Sequence, residues 1–205
     1  MKTTLKAVFA AASLMMAPMA ASAATTFTMD FEDLDANLGN GGAWNEYDFA
    51  GRKFGITWSG MTEGANIFDT NCPNITSACS GDSDLLPSGA ANGVSGNVLI
   101  RQRTNDHTEG GDLANDMASN GNVIFTLISG PALHWLGASA VDDGTFTFKT
   151  DVSGTETTLG SISGLADFET AKLTFTEKSS LIEQGDQFII HFRGSGGVDS
   201  LVFEN

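Results

Sequence analysis

"QFIIHFRGSGGVDSLVFE", Gln187 to Glu204, carries the pattern on which the fold turns. "QFIIHF" and "DSLVFE" are short runs rich in β-branched and aromatic residues. "RGSGG", Arg193 to Gly197, reads as a turn or bulge leading into the last run. Runs of this kind, bounded by Gly, Asn, Asp or Ser, are strands of a half-buried sheet. The same texture recurs upstream in "TFTMDF" (26–31), "KFGITW" (53–58), "NVLIRQ" (97–102), "NVIFTLI" (122–128), "TFTFKT" (145–150) and "KLTFTE" (172–177). No amphipathic helix of three turns accompanies them, and "LADFETAK" (Leu165 to Lys172) reads as a short helix or loop at most. Eight or more short strands in a chain of this size predict an all-β fold: a single antiparallel β-sandwich, jelly-roll-like. With no internal repeat and no linker, residues 24–205 are expected to form one domain. Two long irregular stretches, Gly60 to Gly96 and Thr104 to Gly121, are the places for functional or pinned loops.

The chain opens "MKTTLKAVFAAASLMMAPMAASAATT". Lys2 and Lys6 start it, an apolar run from Ala7 to about Ala17 follows, Pro18 breaks the run, and Ala21-Ser22-Ala23 is a small-x-small cleavage signature. This is the pattern of a bacterial-type secretory signal peptide over residues 1–23. The run is short of the roughly 20 residues a spanning helix needs. The expectation is therefore export with cleavage, a secreted or periplasmic mature protein, and no membrane insertion.

The whole chain carries 10 basic and 25 acidic residues, a net charge of −15. Loss of the leader with its two lysines makes the mature charge −17. Such a surface excludes nucleic-acid binding through phosphate contacts and suits hard divalent cations, calcium above all. Gly at 24 against 4 Pro points to many tight turns.

Both cysteines, Cys72 and Cys79, fall in "IFDTNCPNITSACSGDSDLL" (67–86). In an oxidising compartment two cysteines enclosing six residues favour a disulfide. Closing so small a loop stabilises by roughly 2–3 kcal/mol in the chain-entropy model. Two thiolates make only half a zinc site, and a thioredoxin-like redox site needs a gap of two. Asp69, Asp82 and Asp84 could meet around calcium, or serve turn chemistry by bonding nearby amides.

The order of motifs carries a resemblance. "FEDL", "YDFAGRKFGITWSG", "NIFDTN" with "GDSDL", "SGNVLIRQ", "NGNVIFTL", "LGASAVDDG" and "HFRGSGGVDSLVF" follow one another along the mature chain. This series resembles small exported bacterial β-sandwich proteins of the PEP-CTERM, exosortase-substrate type. The chain departs from them in stopping at Asn205 without a Pro-Glu-Pro anchor, which implies release rather than surface sorting. The resemblance implies a secreted, non-catalytic module. A looser resemblance is to jelly-roll carbohydrate-binding modules, many of which join an early "FE" strand to a last-strand Asp through a structural calcium. The matching residues here are Glu32 and Asp199, with Asp30 two positions before Glu32 and so on its face of an extended strand.

A catalytic constellation is harder to find. The three histidines, His107, His134 and His191, have no metal-ligand spacing, and there is no G-x-S-x-G elbow. Asp30 and Glu32 have glycosidase-like alternation, but position 34 is Leu, and Asp142-Asp143 precede Gly144 as in a turn. The chain is read as non-enzymatic. Trp44, Tyr47 and Trp58 lie in or beside polar, glycine-containing stretches and are the candidates to stack on sugar rings, while Trp135 reads as core. The functional expectation is a module binding polysaccharide or cell-surface glycan with a structural calcium at Asp30, Glu32 and Asp199. A self-associating matrix or adhesive protein is the alternative, and a polysaccharide-active enzyme a more distant one.

Overall fold

A computed structural model describes residues 24–34, 45–60, 64–71, 85, 92–101 and 119–205. Trp44, Cys72, Cys79, Asp82, Asp84 and His107 lie outside the described residues, as does the leader. Twelve strands run through the described residues: β1 (Thr26–Met29), β2 (Glu46–Phe49), β3 (Arg52–Ser59), β4 (Ala65–Asp69), β5 (Asn97–Arg101), β6 (Ser119–Ser129), β7 (His134–Val141), β8 (Thr145–Val152), β9 (Thr155–Ile162), β10 (Thr170–Thr174), β11 (Gln187–Gly194) and β12 (Gly197–Glu204). They form two six-stranded sheets. The first has the order β10-β7-β12-β5-β4, with β1 also on β12; the second is β2-β3-β6-β11-β8-β9. Every pairing is antiparallel. The fold is a β-sandwich, as the strand pattern predicts. From β5 onward the chain crosses between the sheets repeatedly, and only β8 and β9 follow one another within a sheet.

The alternation works as the physics requires. In β11, Phe188, Ile190 and Phe192 face inward and are buried, while His191 and Arg193 face outward. Phe54 and Ile56 of β3, Val123, Phe125 and Leu127 of β6, and Phe146 and Phe148 of β8 complete that side of the core. Trp135 is fully buried at its centre, with Phe148, Phe175, Phe188 and Phe203 within 6.0 Å, centroid to centroid. Its indole N–H donates to the Gly137 carbonyl at 2.9 Å, so the one polar atom of this large side chain is satisfied. A smaller core of Phe68, Leu85, Val94, Val98, Ile100 and Val141 forms on the other face of the first sheet.

The first and last described strands meet. β1 pairs with β12 from Thr26 opposite Glu204 to Met29 opposite Leu201. Arg52, only 4% exposed, clasps this region. Its guanidinium donates to the carbonyls of Ala50, Pro131 and Ala132 and to Asn205 Oδ1, and lies 4.6 Å above the Phe27 ring. Burial lowers its pKa below the ordinary arginine value.

One local expectation needs correcting. Strand β1 stops at Met29, and Phe31 adopts φ +60°, so the two-residue alternation ends before Glu32. Phe31 turns into the core and Glu32 begins a turn. Of the two forms expected of "LADFETAK", the loop is the one observed: a turn followed by the start of β10.

Candidate functional site

The residues singled out around "FEDL" and "VDSLVF" converge on one loop, residues 92–97, at the edge of the first sheet. Glu32 reaches back so that its Oε1 accepts from the Asn97 amide at 2.8 Å. Asn97 in turn donates its side-chain amide to the carbonyls of Phe31 (3.1 Å) and Leu34 (2.6 Å). Between them, Gly96 has φ +67°, and a Cβ there would run into the Glu32 carboxylate. The positive φ favours glycine, and a side chain there would push the Glu32 carboxylate off its place on the Asn97 amide. Asp199 approaches the loop from the other side. Its Oδ2 accepts from the Ser95 amide at 3.3 Å, and its Oδ1 accepts from the Ser200 amide. The β12 ladder with β7 is irregular just here, between Asp199 and Val202, and Ser200 has φ +49°. That irregularity turns the Ser200 hydroxyl onto the Gly93 carbonyl at 2.6 Å, beside the Ser139 hydroxyl on the Asn92 carbonyl at 2.6 Å.

The result is a clamp. Two carboxylates and two serine hydroxyls from β12, β7 and the "FEDL" turn hold loop 92–97 by its backbone. Electrostatically it is loaded. Asp199 is 1% exposed, and burial pushes its pKa up to about 7; its two backbone hydrogen bonds pull the other way, and the charges of Glu32 and Asp30 add to the rise. Asp30 stays close to Glu32, accepting from its amide at 3.4 Å. In donor chemistry the three suit calcium, a hard cation bound by oxygen. In geometry they work as hydrogen-bond acceptors for backbone amides. Among the described residues, no three acidic, histidine or cysteine side chains are grouped to hold a metal ion.

The aromatic candidates separate. Tyr47 is 4% exposed, its ring lies between Phe31 and Phe49, and its hydroxyl donates to Asp33 at 2.7 Å. Burial and this bond push its pKa above the ordinary tyrosine value. Trp58 follows Phe54 and Ile56 on the inward side of β3 and is half-buried. Its indole packs over Gly64, where a Cβ would come within 2.9 Å of the ring. Trp44 is outside the described residues. The exposed aromatic among the described residues is one that the sequence reading passed over, Phe168, 42% exposed. It has φ +67°, an uncommon conformation for a bulky residue. The turn holding it is pinned by Glu169: the Ala166 amide donates to Glu169 Oε2 (3.0 Å), the Glu169 amide to the Ala166 carbonyl (3.0 Å), and the Asp142 amide to the Glu169 carbonyl (2.9 Å). Asn92 links this turn to the clamped loop by donating to the Thr170 carbonyl at 2.7 Å. A lone Phe between Asp167 and Glu169 was the available signal, obscured by reading the stretch as a short helix or loop.

The described histidines stand apart. His134 Nδ1 lies 2.8 Å from the Ser179 carbonyl, and His191 Nδ1 lies 2.8 Å from Asn122 Oδ1 on the outer face of the second sheet. Partial burial, with Lys149, Arg101 and Arg193 nearby, holds the His191 pKa below its usual value. Comparison of the chain with known protein families, with curated proteins and with solved structures finds no match in any of the three.

Proposed function

We propose that this chain is a secreted, non-catalytic module that binds polysaccharide or cell-surface components. The observation that carries the reading is the exposed ring of Phe168, on a turn fixed by three hydrogen bonds and joined through Asn92 to the clamped loop. A rigid aromatic beside hydrogen-bonding side chains is the arrangement that sugar recognition uses, a flat apolar face with polar groups at its rim. The test is a glycan array, with and without calcium, on wild type and on Phe168→Ala, Trp44→Ala and Trp58→Ala. Binding that falls in Phe168→Ala and survives in Trp58→Ala supports the reading; a wild type that binds no glycan overturns it.

Calcium belongs to the same proposal, with Glu32 and Asp199 as its carboxylates and Asp30 beside them. A dication there would relieve the crowding of negative charge at the buried Asp199. Calcium that binds only the folded state raises the melting temperature by mass action. The rise is expected in wild type and lost in Glu32→Gln; an unchanged melting temperature in metal-stripped wild type refutes it.

A further inference from the structure

Among the described residues, strand β9 ends the second sheet, hydrogen-bonded to β8 on one side only. Its sequence is TETTLGSI, and its first four residues, Thr155 to Thr158, are all exposed. Exposure of consecutive residues means that both faces of β9 are open here, while β8 beside it stays in the sandwich, with Thr150 buried and Val152 packed against the main core. The β8–β9 turn is also held: the Ser153 amide at its tip donates to Asp186 Oδ1 at 2.9 Å. Beside the strand lies an open cavity of about 440 Å³, lined by Thr157, Thr158 and Leu159 on one side and by Thr176, Glu177, Lys178 and Ser180 on the other. None of the described strands occupies it.

Edge strands are normally blunted by short length, charge or cover. The other edges here follow that rule. β2 has four residues and carries Glu46 and Asp48. β10 has five and carries Lys172. β4 is buried over Ala65 to Phe68. β9 has eight residues and one charge, Glu156, which Lys149 of β8 neutralises at 2.8 Å. Its exposed half is otherwise threonine, a β-branched residue that favours strands and pairs well across them.

We propose that β9 is an interface between two copies of this chain, which pair antiparallel along Thr155–Thr158 about a two-fold axis and join their second sheets into one. The register centred on Thr157 sets Thr157 opposite the same residue of the second copy and Glu156 opposite its Thr158, so no two carboxylates face each other. Main-chain hydrogen bonds supply the attraction. The net charge of −15 on each copy opposes it, so screening by salt strengthens the pair. A two-fold contact uses the edge up on both copies, and growth stops at two. This inference is independent of glycan binding.

The experiment is sedimentation velocity on the mature protein over a wide concentration range at low and high salt. It compares wild type with Thr157→Lys/Thr158→Lys, and with Thr57→Lys, which adds a lysine at an exposed position of the same sheet away from the edge. Circular dichroism and melting confirm that each variant is folded. The wild type should double in mass with concentration, more readily at high salt; the edge variant should stay monomeric, and Thr57→Lys should behave as wild type. If the edge variant fails to fold, hydrogen exchange on wild type decides instead, since amides of 155–158 must gain protection as concentration rises. A wild type monomeric under all conditions, assembly beyond two copies, an edge variant that dimerises like wild type, or unchanged protection at 155–158 would each overturn the proposal.

Discussion

Replacing Asp199 with Asn should change how stability depends on pH, and by an amount the structure fixes. The carboxyl titrates near 3.8 in an unstructured chain and at about 7 in the folded protein. The folded state therefore holds a proton that the unfolded state has released between those values. The sign follows: the contribution of Asp199 to stability is fully present below about pH 4 and is lost as pH rises through 7. At 1.36 kcal/mol per pKa unit, the full span is about 4 kcal/mol. The carboxamide of the variant does not titrate. Urea denaturation of wild type and Asp199→Asn from pH 4 to pH 8 measures the difference directly. The stability of wild type relative to the variant should fall by about 4 kcal/mol over this range. Glu32→Gln should narrow the fall without abolishing it, because burial is the larger cause and the Glu32 charge a lesser one. A difference that is flat with pH, or that grows as pH rises, would refute the reasoning.

Three further outcomes are expected. Gly96→Ala should destabilise by about 1–3 kcal/mol, since the new methyl meets Glu32 and the residue is held at positive φ; a change within error in urea denaturation would contradict the account of the clamp. Trp135→Ala should lose about 3–5 kcal/mol or prevent folding, because no neighbouring group can fill the centre of the aromatic core, and a melting temperature near wild type would show otherwise. Thiol titration of denatured, unreduced protein should find neither Cys72 nor Cys79 free, and reduction should lower stability by roughly 2–3 kcal/mol; two free thiols would remove the disulfide.

Four of the strands legible in the sequence have one wet face and one dry one. "KFGITW", "NVIFTLI", "TFTFKT" and "QFIIHF" alternate because a single core lies on one side, and they lie within β3, β6, β8 and β11. Two of the strands left out fail that condition. β7, HWLGASAV, is buried on both faces from Gly137 to Val141, so small residues replace the alternation. β9 has almost no buried face and reads as a polar loop. The candidate site divided along similar lines. Glu32 and Asp199 are paired in the sequence through the resemblance to jelly-roll modules, and the strands leading to them, β1 and β12, do pair. Their role as acceptors for the Asn97, Ser95 and Ser200 amides depends on positive-φ residues, Phe31 and Ser200, that no side-chain pattern announces. Tyr47 sits in a polar stretch and is nevertheless buried, since Phe31 and Phe49 cover its ring while Asp33 takes its hydroxyl.

The pairing of the chain's first strand with its last also decides how the protein answers a mechanical load. Thr26 stands opposite Glu204, so the chain enters the sheet and leaves it at the same rung, and the Asn205 amide donates to the Thr25 carbonyl just beyond it. Tension applied between the ends does not shear the four rungs together. It opens them one at a time, beginning at Thr26–Glu204, and each backbone hydrogen bond resists with a net stability of only about 1 kcal/mol. The Arg52 contact to Asn205 yields early in the same sequence. A molecule held by one end keeps this seam unloaded, whereas one stretched between two attachment points opens like a zip from Thr26 toward Met29.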